Sequence, residues 1–207
     1  MLESKQAKKT IMAAINTQSI TEEAFKVRIY EWNEPMKNFN SSQNIYAYHP
    51  TAVHLFEPKS VGVATAFTYM FVAEGEVGHL MNKPLLRVYK ISTELRSQFM
   101  EIQQIRETQE VLNIESVVTP ENDLFVFTLM RDSTIKIYKL RGASGFVYFD
   151  TIYGRGATSM QVVSTYNDPH NYGHFIALGY NDVDGGRSSR EGHTKVLTAK
   201  VASHPRG

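Results

Sequence analysis

The chain of 207 residues is 42% hydrophobic and 21% charged, enough apolar material for the core of one large all-β domain or two small ones. Its net charge of +1, with no Lys/Arg stripe along the chain, argues against a nucleic-acid or membrane-surface partner held by charge. It contains no cysteine, which excludes disulfide staples, thiolate metal sites and a cysteine nucleophile.

In chain order, residues 1–9 form a polar tail without the apolar core of a signal peptide. Four kinds of segment then follow one another. Ile11 to Thr17 (IMAAINT) is apolar, and Val27 to Trp32 (VRIYEW) alternates apolar with polar residues around a tyrosine. Phe39 to Tyr46 (FNSSQNIY) carries a Phe-x5-Ile spacing, and Ala52 to Glu57 (AVHLFE) links onward. The series then repeats as Tyr69 to Gly75, Leu86 to Ile91, Phe99 to Arg106 and Val111 to Val118. It repeats again as Leu124 to Met130, Ile135 to Leu140, Phe146 to Tyr153 and Thr158 to Ser164. His174 to Tyr180 and a worn tyrosine-type segment, Thr194 to Val201, close the series before a tail at 202–207.

Each segment has the length and texture of a strand. Eleven Tyr and eleven Phe beside one Trp suit a pleated, half-buried surface. The near-continuous apolar runs read as strands buried on both faces. The alternating tyrosine segments read as strands with one solvated face, made of Arg28, Tyr30, Arg87, Tyr89, Lys136 and Tyr138. In Phe39/Ile45, Phe99/Ile105 and Phe146/Ile152 the even offset is expected to put both side chains on one face. Even the apolar run from Leu124 to Leu129 is far too short to span a bilayer.

Four strands recurring with a period of about fifty to sixty residues is the arithmetic of β-propeller blades. The expected fold is therefore all-β, a partial arc of about three and a half four-stranded blades. The repeat units fall at about 10–37, 38–95, 96–144 and 145–201. The competing arrangement is a two-layer sandwich in which Phe39, Phe99 and Phe146 have unrelated surroundings. Because the series starts and stops mid-blade, the arc is expected to be a fragment of a longer chain. A compact ring of about four blades, or two arcs that self-associate to close one ring, are the other resolutions.

The pattern Phe-x-x-x-Gln-x-Ile, a Gly-Ala turn, an apolar strand and Ile-Tyr-x-Trp resembles the epilepsy-associated repeat, EAR or EPTP. The copies nearest that pattern are Phe99 to Arg106, Phe149 to Val163 (FDTIYGRGATSMQVV) and Val27 to Asn33 (VRIYEWN). The resemblance spans about Ile11 to Val201 at scattered positions. The motif tryptophan survives only as Trp32, and Gly156-Ala157 is the one clear Gly-Ala turn. The family includes the leucine-rich glioma-inactivated proteins and the thrombospondin-type laminin G and EAR-repeat proteins. The resemblance implies a seven-bladed propeller, secreted or displayed at the cell surface, that binds receptor ectodomains without catalysis.

On that resemblance the chain is an extracellular protein–protein recognition module whose partner is a cell-surface receptor or matrix protein. The alternative is an intracellular propeller scaffold, which the absence of cysteine and of a signal peptide fits. A propeller hydrolase comes third, because Asp and Glu do not recur at equivalent blade positions. No cofactor is expected: neither a G-x-S-x-G elbow nor a phosphate-cradling Gly loop followed by Lys-Ser/Thr occurs, and Gly142-Ala143-Ser144-Gly145 reads as a plain turn.

Few residues stand out as sites. Asn40-Ser41-Ser42 is an N-glycosylation sequon, expected on the surface of a secreted protein. His49 and Arg155, on loops between strands, and Arg187 and Arg190, in the Gly-rich insertion 181–193, are the candidate partner contacts. His170 and His174 have zinc-ligand spacing, but Pro169 and Gly173 argue against the helix that this spacing needs. Asp182, Asp184 and Gly185 begin like a calcium loop, yet Gly186 and His193 break the pattern. No metal is expected at either place.

Overall fold

The computed structural model describes residues 2–4, 9–15, 26–58, 67–75, 83–91, 98–119, 122–166, 172–180 and 193–199. These residues are all-β, apart from a single 3-10 turn at Gly142–Ser144, and form four antiparallel sheets. The first sheet contains β1 (Leu2–Ser4), β2 (Lys9–Ile15), β3 (Lys26–Asn33) and β4 (Asn38–Tyr46). The second contains β5 (Pro50–Phe56), β6 (Tyr69–Glu74), β7 (Leu85–Ile91) and β8 (Phe99–Arg106). The third contains β9 (Val111–Val118), β10 (Leu124–Met130), β11 (Thr134–Leu140) and β12 (Phe146–Tyr153). The fourth contains β13 (Ala157–Tyr166), β14 (Tyr172–Tyr180) and β15 (His193–Ala199). Every sheet is a meander with its strands in sequence order, and none closes on itself.

Hydrogen bonding groups the strands in a different phase from the repeat units read in the sequence. Each sheet opens in the linking-strand place and the first three end on the Phe-x5-Ile strand, so sheets change over at 47–49, 107–110 and 154–156. A periodic series has no inherent first member; the turns decide where a sheet stops. Leu2–Ser4, read as part of a polar tail, is a strand that pairs with β2 and takes the linking-strand place in the first sheet.

Consecutive sheets lie against one another, with β2 beside β5, β5 beside β9 and β9 beside β13. Three separate hydrophobic clusters fill the gaps. Ile11, Val27, Ile29 and Ile45 meet Met70, Val72, Tyr89 and Phe99 between the first two sheets. Phe71, Leu86 and Val88 meet Ile114, Val126, Tyr138 and Phe146 between the second and third. Phe125, Phe127, Ile135 and Ile137 meet Met160, Ile176 and Leu178 between the third and fourth. A two-layer sandwich would have one such core; the described residues form three in series.

The position in the series explains which strands are covered on both faces. Every residue of β6 and β10 is buried, because each belongs to a sheet with neighbours on both sides. The runs in β2 and β14 were expected to be the same, but Met12, Ala14, Phe175 and Ala177 are only half-buried. Among the described residues, their sheets have a neighbour on one side only. The tyrosine strands correct the opposite way. Tyr89 and Tyr138 are buried between sheets, not on a solvated face. Arg87 and Lys136 beside them are ion-paired, to Glu74 and Glu107.

Two β-bulges recur at equivalent places. In each Phe strand one residue lacks a cross-strand partner, opposite the start of the Ile-Tyr or Val-Tyr pair. It is Ser42 in β4, Ile102 in β8 and Phe149 in β12. In the first strand of the second, third and fourth sheets the extra residue is Thr51, Leu112 or Thr158. One inserted residue reverses the alternation of a strand. The expected sharing of a face by Phe and Ile therefore fails. Phe99 packs toward the first sheet and Ile105 toward the third. Phe146 packs toward the second sheet and Ile152 toward the fourth.

The motif glutamine joins sheet to sheet. Gln43 Nε2 donates to the Phe99 carbonyl and Gln43 Oε1 accepts from the Phe99 N–H, both at 2.9 Å. Gln103 treats Phe146 in the same way, both bonds being 2.8 Å. These bonds satisfy the outward-facing backbone of an edge strand, which otherwise seeks another chain. Asp150 holds the equivalent place in β12, and an ionised carboxylate cannot donate to a carbonyl. Its Oδ1 accepts the Thr151 N–H at 2.7 Å instead.

Candidate recognition surface

The meander order brings the turns between sheets and the ends of inner strands to one end of the stack. The turns between sheets (47–49, 107–110 and 154–156) lie there together with the end of each second strand and the start of each third strand. Backbone hydrogen bonds tie these strand ends to the turns. Gly75 N donates to His49 O at 2.9 Å, and Arg131 N to Glu110 O at 2.8 Å. Glu107 N donates to Pro84 O, and Gly154 N to Ser133 O, both at 2.8 Å. Side chains on these turns are therefore presented from a held backbone rather than from free loops.

His49 and Arg155 occupy equivalent turns and share left-handed backbone, with φ of 48° and 44°. Both are exposed. They lie on different turns, His49 between the first and second sheets and Arg155 between the third and fourth. Side chains pack closely around Gly75 at the first turn. A Cβ there would stand 2.8 Å from Glu110 Oε1 and 2.9 Å from both His49 Nδ1 and Thr51 Cγ2.

Beside His49 a cleft of about 370 Å³ opens between Tyr48 and the ends of β7 and β8. Glu74, Lys83, Leu85, Arg87 and Arg106 line it. Glu74 is buried at the end of an all-apolar strand and needs compensation. It accepts the Tyr48 N–H at 2.8 Å and lies 2.9 Å from Arg87 Nε. Arg87 Nη1 also donates to Glu101 Oε2 at 2.8 Å. Burial works against the Arg87 charge, but the bonds and attraction from Glu101 and Glu74 outweigh it and raise its pKa above the ordinary value. Tyr48 is half-exposed at the cleft wall, while Lys83 and Arg106 are exposed at its mouth.

Asn40 is exposed on β4, opposite Glu31. It borders a second cleft, of about 380 Å³, beside Trp32 and Glu34 at the other end of the first sheet. Ser42, the last residue of the sequon, is the bulged residue, and its hydroxyl donates to Ile29 O at 3.3 Å. His174 lies on strand β14, is buried and bonds Ser164 Oγ through Nδ1 at 2.9 Å. Arg187, Arg190, Asp182, Asp184, Gly185 and His170 lie outside the described residues. Among the described residues, no group of three or more His, Cys, Asp or Glu is placed to hold a metal ion, and no helix is long and apolar enough to cross a membrane.

No family model matches the chain, and no curated protein matches it. Among solved structures it is similar to a chain in the complex structure of the fission yeast SREBP–SCAP binding domains. The identity is 9% and the TM-score 0.43, over 90% of this chain and 47% of that one. The chain thus spans about half the length of that solved chain.

Sequence reasoning placed His49 on this surface but missed Tyr48, Lys83 and Arg106. They sit at the ends of three different segments and share no local motif. The available signal was positional, since each lies at or next to a strand end on the side of the inter-sheet turns.

Proposed function

We propose that the four sheets are consecutive blades of a β-propeller with EAR/EPTP-like repeats, and that the chain is a protein-recognition module without catalysis. The recurrence of both bulges and of the glutamine contact at equivalent places supports a repeat in the structural sense. One observation carries the functional part. Tyr48, Lys83 and Arg106 are exposed together around a cleft beside backbone-tied turns. Tyr and Arg are favoured anchors at protein interfaces, and a held backbone lowers the entropy cost of binding. The family resemblance makes the partner a cell-surface or matrix protein and the setting extracellular, with Asn40 as a glycosylation site.

Photocrosslinking on intact cells tests this. A photoreactive amino acid placed at Gln109, in the turn end, is compared with one at Pro35, at the opposite end. The reading requires a discrete cell-surface protein crosslinked from Gln109 and not from Pro35. Equal labelling from both positions, or none from either, ends it.

A further inference from the structure

We propose that the cleft beside Tyr48 receives carboxylate side chains of an acidic peptide segment in the protein partner. This inference rests on the recognition reading above and names the chemistry of the partner at that same surface.

The cleft is built around a fixed cation. Arg87 stands between Glu74, which is buried, and Glu101, so its guanidinium is held in one orientation. Glu74 is in turn held by the Tyr48 N–H. A guanidinium fixed by neighbours loses less freedom when it takes a further acceptor. Glu74 and Glu101 both face Arg87 and together offset its charge, so the positive field at the mouth comes from Lys83 and Arg106. Both are exposed, and among the described residues neither has a carboxylate partner.

The surroundings favour a peptide over a nucleic acid. A polynucleotide needs cations spread along its backbone, and this chain has a net charge of +1 with no basic stripe. Here the cations gather in a cleft of about 370 Å³ with Tyr48 and Leu85 on its wall. That shape suits one or two carboxylate side chains, whose methylenes rest on the apolar wall.

The test uses fluorescence anisotropy with the full chain. The probe is a labelled decapeptide of alternating glutamate and serine, compared with its glutamine–serine counterpart. The glutamate peptide is expected to bind at low ionic strength and the glutamine peptide not to. Arg106→Glu and Lys83→Glu are each expected to weaken binding by about tenfold, with the unfolding midpoint unchanged. Lys37→Glu, on the hairpin at the opposite end, should bind as the natural chain does. Unaltered affinity in both cleft variants, or no binding of the glutamate peptide, overturns the proposal. So does displacement by inorganic phosphate well beyond that by chloride of equal ionic strength, which would make the cleft a phosphate site. Failure here with the Gln109 crosslink retained removes this inference alone; loss of that crosslink removes the recognition reading beneath it.

Discussion

The carboxamide of Gln43 makes two hydrogen bonds to the backbone of Phe99, a residue 56 positions later and in the next sheet. Gln103 and Phe146 repeat the contact. An edge strand thereby has its outward N–H and C=O satisfied by a side chain, without a fifth strand. The contact needs a donor and an acceptor on one planar group, which among charged and polar side chains of this length only glutamine supplies.

Replacing Gln103 by Glu should expose that requirement. The carboxylate still accepts from the Phe146 N–H but repels the Phe146 carbonyl, at a cost of about 1–3 kcal/mol. Gln103→Met should cost a similar amount. Urea unfolding of both variants across pH checks the reason. The Glu variant should recover relative to Met as its carboxyl protonates and regains a donor. Parallel loss in both variants at every pH would refute the donor role.

Phe71 is fully buried between the second and third sheets, its ring 5.2 Å from that of Phe146 in an edge-to-face arrangement. Phe71→Ala is expected to cost about 3–5 kcal/mol, the sum of lost transfer energy and a cavity. Phe71→Leu should recover more than half of that. Denaturant midpoints measure both.

The buried Glu107 carboxylate joins the second sheet to the third through Lys136 Nζ at 2.7 Å and the Tyr138 hydroxyl. Removing the cation alone strands a buried charge. Lys136→Met should therefore destabilise by about 3–5 kcal/mol. The double variant Lys136→Met with Glu107→Gln should be the more stable of the two. A double-mutant cycle by thermal unfolding gives the comparison, and simple additivity of the two single losses would contradict it.

His54 on β5 bonds Ser116 on β9 at 2.8 Å, and burial lowers its pKa to about 4. Between about 4 and 6.5 the unfolded chain binds this proton and the folded chain does not. Stability from this residue is therefore complete above that window and declines as pH falls through it, by about 3 kcal/mol in all. His54→Gln should flatten this part of the stability–pH curve. An unchanged curve in the variant would assign the acid sensitivity elsewhere.

Strand identity was legible in the sequence because it is a local property. The tyrosine segments at 27–32, 86–91 and 135–140 alternate, the apolar runs at 69–75 and 124–130 do not, and all of them became strands in the expected order. The cleft was not legible, because Tyr48, Lys83, Arg87 and Arg106 come together only when three strand ends and a turn meet. The facing of Phe99 and Ile105 was misread for a related reason. A single inserted residue, Ile102, turns half of β8 over and leaves no mark in the hydrophobic pattern.

The amino-acid sequence alone thus determined an all-β chain of recurring segments and the motif glutamine within them, since residue type and spacing act over a few neighbours. Tertiary structure alone decided what that glutamine holds, which face each aromatic takes and where the cations gather. Those depend on bulges and on contacts between sheets, where residues dozens of positions apart satisfy each other's charge, hydrogen bonds and apolar surface.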